Sequence, residues 1–146
     1  MANKFNFAEV KNRIVQTKRE LPIILAKEAE NAFVKNFTDG GFFGGNWQEV
    51  KRRIPSESAY KYPKKRGLSR RTKPILTLSG RLRRAVSTST RTKTWDLIKL
   101  VVDTPYAARH NEGLDGMPQR QFMADSPVLR KQQAETIKKY FDKVWV

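Results

Sequence analysis

Half of the basic residues of this chain lie in one stretch that holds almost no acid. Residues 51–93 carry fifteen Lys and Arg against a single acidic residue, Glu57, whereas residues 1–50 set seven basic against six acidic side chains and residues 94–146 set eight against seven. The formal net charge is +16, and this stretch supplies +14 of it. Like charges at that density repel. The large apolar residues available between 51 and 73 are Ile54, Tyr60, Tyr62 and Leu68, with Pro55, Pro63 and Pro74 interrupting. Such a segment does not nucleate a core by itself, so a mobile arm or long basic loop is expected over 51–74, with the fold built from its flanks. A short run such as Lys64-Lys65-Arg66 suits an ordinary solvated face, but fifteen charges against one exceed what solubility requires. A charge-balanced body with one cationic segment points to a polyanion as partner. The candidate contact residues are Lys51, Arg52, Arg53, Lys61, Lys64, Lys65, Arg66, Arg70, Arg71 and Lys73, and beyond them Arg81, Arg83 and Arg84.

With 146 residues the chain suits a single domain, 1–146. No apolar run approaches the ~18–20 residues that cross a bilayer, and residues 1–13 lack the apolar stretch of a secretory signal. Cysteine is absent, which excludes disulfides, thiolate metal sites and a cysteine nucleophile. A single histidine leaves a zinc site without its usual ligands. No cofactor is indicated.

The N-terminal flank reads as one long helix, 1–39. Phe7, Val10, Ile14, Leu21, Leu25, Ala29, Ala32 and Phe33 recur at three- and four-residue spacing. Asn6 is placed to cap it, Glu9 to complete a capping box and Phe5 to staple onto Val10. Pro22 is expected to kink or split the helix near 20–21, and Asp39-Gly40-Gly41 to end it. The loop Gly40-Gly41-Phe42-Phe43-Gly44-Gly45-Asn46-Trp47 matches neither a P-loop nor a dinucleotide fingerprint and reads as a turn. Order resumes at Ile75, with a helical turn after Ser79 that buries Leu82. Strands are expected over 86–91 and 95–102, linked at 92–94; apolar residues on both faces of 95–102 suit a central strand. Thr104-Pro105 and Ser126-Pro127 each read as an N-cap with proline at the first helical position. A short strand over 120–124 lies between those two signals. The last helix, 128–144, carries Leu129, Gln133, Ile137, Tyr140, Phe141 and Val144 on one side.

No constellation completes a catalytic site. His110 has Glu112, Asp115 and Tyr106 close in sequence, yet His110 and Glu112 fall on different faces of a helix. No serine stands in a nucleophile elbow, and the carboxylates are too scattered to hold magnesium for a nuclease. The histidine reads as a helix-end residue bonded to a nearby carbonyl, and the chain is expected not to be an enzyme.

Four stretches in order carry a resemblance. Gly44-Gly45-Asn46-Trp47 matches a Gly-x-x-Trp after the first helix. Residues 75–86, Ile-Leu-Thr-Leu-Ser-Gly-Arg-Leu-Arg-Arg-Ala-Val, match an Ile-Leu-x-x-Thr-Gly-x-Leu-x-x-Ser-Ile box, with Ser79 for threonine and Ala85 for serine. Tyr106-Ala107-Ala108-Arg109-His110-Asn111-Glu112-Gly113 matches Tyr-Ala-x-x-His-x-x-Gly, and residues 117–123 contain Pro118, Arg120 and Phe122 as Pro-x-Arg-x-Phe. In these the chain resembles the virion morphogenesis (tail-completion) proteins of tailed bacteriophages, also found as head–tail joining or neck components.

The resemblance implies an α+β fold: a long N-terminal helix packed on a small antiparallel sheet, a C-terminal helix, and the basic loop or arm between helix 1 and the sheet. It implies a structural protein of the virion, reached from the host cytoplasm during assembly, that forms a homo-oligomeric ring around the DNA channel. Adjacent connector, tail-terminator or tail proteins would be its partners; the charge, separately, suggests that the basic segment holds phage DNA through phosphates without sequence preference, or inserts into acidic neighbouring ring proteins. Within this frame the motif residues hold the fold. Gly80 permits a close backbone approach, Leu82 plugs the core, Trp47 covers the sheet edge, and His110 with Gly113 ends the short helix, alongside Tyr106, Pro118, Arg120 and Phe122. The alternative is a non-enzymatic, sequence-nonspecific nucleic-acid-binding module such as a ribosome-associated protein; against it, the basic stretch lacks regularly interleaved aromatics for stacking bases.

Overall fold

The computed structural model describes residues 5–63 and 70–145. Lys64, Lys65 and Arg66 of the expected basic contacts lie outside the described residues, as does Leu68. Along the chain come α1 (Phe7–Asp39), a two-residue pairing of β1 (Gly41–Phe42) with β2 (Gly45–Asn46), a 3-10 turn (Lys51–Arg53) and α2 (Ser58–Lys61). Then follow α3 (Arg81–Ser87), β3 (Thr90–Lys93), β4 (Ile98–Leu100), α4 (Ala107–Glu112) and α5 (Pro127–Val144). This is an α+β arrangement with a long N-terminal helix, two small antiparallel sheets and a C-terminal helix. The chain divides into two compact units, one of residues 1–29, 90–101 and 125–146, the other of residues 30–89 and 102–124.

Helix α1 begins as its sequence dictates: the Asn6 carboxamide oxygen accepts from the amides of Ala8 and Glu9 at 3.1 and 3.4 Å. The rest of the expected start differs. Glu9 turns to Arg13 at 3.3 Å, and the Phe5 ring meets Phe7 edge-on. Pro22 lies inside an uninterrupted helix; it removes one backbone bond, and burial of Leu21, Pro22 and Ala26 secures the turns around it. Gly40 closes the helix with φ +69°.

In the first unit, Leu21, Ala26 and Ala29 of α1 and Leu129 and Val144 of α5 are buried. Gln133 donates to the Leu25 carbonyl at 3.2 Å and Thr136 to the Glu28 carboxylate at 2.7 Å, which sets α5 against α1. Ser126 caps α5 by accepting from the Val128 amide. The hairpin pairs Thr90 with Leu100 and Lys93 with Ile98, with a register shift between Thr90 and Thr92. Its strands are shorter and later than the spacing predicts. Val86 belongs to α3, where it is buried one turn from Leu82. The amide and hydroxyl of Thr94 both bond the Leu97 carbonyl, so residues 94–97 form the turn and leave Trp95 and Leu97 exposed. In a two-stranded sheet, β4 has only one paired edge, so the expectation of a central strand does not hold.

The second unit gathers Phe33, Phe37, Trp47, Leu82, Val86 and Phe122. Phe37 is the hinge of this core, 5.7 Å from the Trp47 ring, edge-on, and 5.3 Å from the Phe122 ring. Residues 120–124, expected as a strand, form none; side chains take much of the backbone of 121–123 instead. Trp47 Nε1–H donates to the Gln121 carbonyl at 2.7 Å, the Asn36 amide to the Phe122 carbonyl at 3.0 Å and the Asn111 amide to the Met123 carbonyl at 2.9 Å. The Asn111 oxygen in turn accepts from the amides of Phe122 and Met123. Those groups are no longer free for a β partner. Helix α4 starts later than the Thr104-Pro105 signal suggests: Tyr106 is its N-cap, and the Thr104 carbonyl accepts from the Ala107 amide.

Candidate functional site

The basic stretch is more ordered at its root than its composition suggests. The 3-10 turn presents two arginines to the returning chain. Arg52 Nε donates to the Arg70 carbonyl at 2.8 Å, and its Nη2 to those of Lys73 and Pro74. Arg53 donates to the carbonyls of Arg71 and Lys73 at 3.0 and 2.6 Å, and faces Glu49 at 3.5 Å. Arg71 stacks over the Tyr60 ring, 3.9 Å from its centroid, and bonds the Tyr60 carbonyl. Lys73 donates to the Leu78 carbonyl. The expected arm or long loop is, where described, held at its base by arginine side chains that donate to backbone carbonyls and keep their positive charge. Of the other expected contact residues, Lys51, Lys61, Arg81, Arg83 and Arg84 are exposed and Arg70 is half-buried.

The motif residues converge in the second unit, in roles that differ partly from those expected. Leu82 is buried as expected. Trp47, directly after β2, is buried against Phe37 and bonds the Gln121 carbonyl. Gly80 makes no close backbone approach. It caps α3 with φ +70°, and a Cβ there meets only the mobile Arg84 guanidinium, at 3.0 Å. The close approach occurs at Gly113, φ +72°, where a Cβ would lie 2.9 Å from Gln119 Cβ and 3.1 Å from its backbone. Gly113 caps α4, and the chain returns through a loop with Pro118 half-buried to Arg120, whose amide donates to the His110 carbonyl at 2.7 Å.

These elements enclose a pocket of about 550 Å³ within the second unit. Its lining mixes polar residues, Arg52, Arg81, Arg120, His110, Ser79 and Tyr106, with apolar ones, Val50, Leu76, Leu78, Leu82 and Met117. Arg120 is only 6% exposed, and its Nε donates to the Gln48 carbonyl at 3.1 Å. Burial lowers the pKa of Arg120, with Glu49 partly offsetting it. Arg52 is lowered by burial first, and then by the charges of Arg53 and Arg120. Burial, then Arg120, depresses His110 below the usual imidazole value of 6.5, which keeps it neutral near pH 7. Its Nδ1 is buried without a hydrogen-bond partner among the described residues, and its ring meets Tyr106 edge-on at 6.1 Å. Leu76 in the lining takes φ +59°, a left-handed conformation that costs a branched side chain on the order of 1–2 kcal/mol.

Chemically this is a place for an anion beside an apolar group. Among the described residues no carboxylate orients His110 as a base, and no group of three or more His, Cys, Asp or Glu can hold a metal ion. No helix among the described residues is long and apolar enough to cross a membrane. Asn36 and Asn111, which organise the pocket's supporting segment, went unnoticed in the sequence; the available signal is an asparagine within a helix, where its side chain competes with the backbone and is seldom chosen without reason. Comparison with models of protein families, with curated proteins and with solved structures finds no match to this chain.

Proposed function

We propose that the chain is a non-enzymatic structural component of the head–tail junction of a tailed bacteriophage, acting in tail completion or head–tail joining as a subunit of a ring around the DNA channel. Exposed cations of the 51–93 stretch, Lys51, Lys61, Arg81, Arg83 and Arg84, face DNA phosphates without reading sequence. The observation that carries the reading is one of sorting. The motif residues that are buried, Trp47, Leu82, Arg120 and Phe122, belong to one compact unit, while those five cations stay outside its core. Conserved-size substitutions at Ser79 and Ala85 leave the likeness to the tail-completion motifs intact.

Two measurements test it. Titration of the purified chain with unrelated duplexes at several salt concentrations should give equal affinities, with log K falling linearly in log salt at about −0.9 per phosphate neutralised. Absent or salt-insensitive binding removes the DNA contact. Labelling the chain in intact particles should place it at the portal-to-tail junction; finding it elsewhere removes the structural assignment.

A further inference from the structure

Exposed lysines and arginines explain attraction to a polyanion, but they do not explain a concave site lined also by leucine and methionine. Three guanidinium groups, Arg52, Arg81 and Arg120, line the pocket, and the carboxylate that acts on Arg52 and Arg120 is Glu49, itself shared with Arg53. Like charges converge there with little compensation. In the same lining Leu78 and Met117 are 45% and 38% exposed, and Leu76 has φ +59°. Exposed apolar side chains in one pocket with three guanidinium groups are complementary to a ligand with both characters. A DNA backbone brings phosphate and deoxyribose but no aliphatic side chain to lie against Leu78 and Met117.

We propose that this pocket receives an acidic segment of a partner protein: an Asp or Glu carboxylate on the exposed Arg81, attracted also by the charges of Arg52 and Arg120, with a neighbouring aliphatic side chain on Leu78 and Met117. The inference does not rest on the phage reading, since it concerns the pocket and its lining.

The test is a titration of the full chain, isotope-labelled and followed by NMR, with the probe peptide acetyl-Leu-Glu-Leu-amide. Saturable shifts are expected at Tyr106, Leu82 and the Met117 methyl, in the millimolar range or tighter. Acetyl-Leu-Gln-Leu-amide should bind about tenfold more weakly, as loss of one charge-assisted contact implies. Arg81→Gln, an exposed side chain remote from the core, should weaken the acidic peptide about as much. Met117→Glu, which sets a carboxylate in the lining, should abolish binding; unchanged amide spectra away from the pocket establish that each variant folds. No saturable shift with the acidic peptide, equal binding of the Glu and Gln peptides, or equal shifts from inorganic phosphate alone would each overturn the proposal. Tighter occupation of the same resonances by a short duplex would replace the protein segment by DNA, and so overturn it too.

Discussion

The Asn36 amide donates to the Phe122 carbonyl at 3.0 Å, and its carbonyl oxygen accepts from the Phe43 amide at 3.2 Å, so one buried side chain of α1 holds two separate loops. Removing it leaves two buried backbone groups unpaired. Asn36→Ala should cost about 2–4 kcal/mol, read as a lower urea midpoint at unchanged slope. A loss below about 0.5 kcal/mol would mean that water replaces the side chain without penalty.

Trp47 separates packing from hydrogen bonding. Trp47→Phe retains a ring against Phe37 but deletes the donor to the Gln121 carbonyl, and should cost about 1–3 kcal/mol. Trp47→Ala should cost about 3–5 kcal/mol. Equal losses for the two variants would show that the ring contributes little.

Gly113 and Gly116 share φ +72°, but only Gly113 has neighbours within reach of a Cβ. Gly116→Ala should therefore show the backbone penalty alone, about 1 kcal/mol, and Gly113→Ala more, since Gln119 backbone must move as well. Gly80→Val, at φ +70° with a β-branched side chain, should be worse than Gly80→Ala; thermal melting of the four variants tests the order.

His110 provides a pH signature. Its pKa is depressed in the fold, by burial and then by Arg120, so the unfolded chain binds the proton more tightly. Stability therefore rises with pH across this window: the contribution is complete above 6.5 and is lost as pH falls through the lowered folded value. His110 is the one histidine of the chain. His110→Gln should flatten the melting temperature between about pH 5 and 7, where few other side chains titrate. An identical slope in wild type and variant would remove the histidine as its cause.

Arg83 and Arg84 are exposed on α3. If they meet phosphates, Arg83→Gln and Arg84→Gln should each lower the salt slope of duplex binding by about one, uniformly across sequences. A change confined to one sequence would indicate base readout instead.

Local patterns foretold the elements whose signals are local. Asn6 and Ser126 cap their helices as their side chains dictate, the apolar spacing marks α1 and α5, and the glycines at 40 and 113 close α1 and α4. The pocket was only partly legible. Arg81, Arg120 and His110 stood out by charge or rarity, but nothing in the spacing placed Arg52 beside Arg120.

The chain's own order of residues determined the two long helices, the caps at Asn6 and Ser126, and that the positive charge is gathered between 51 and 93. Tertiary structure alone decided which cations are spent. Arg52 and Arg53 became clasps and Arg120 a buried pocket wall because carbonyls from distant segments came within reach. It also left 120–124 outside a sheet, with Asn36, Trp47 and Asn111 bonded to its backbone. Capping and periodicity act over a few residues and are written in the sequence. A hydrogen bond across 70 or more residues exists only once the chain has closed, and these ones settle the site.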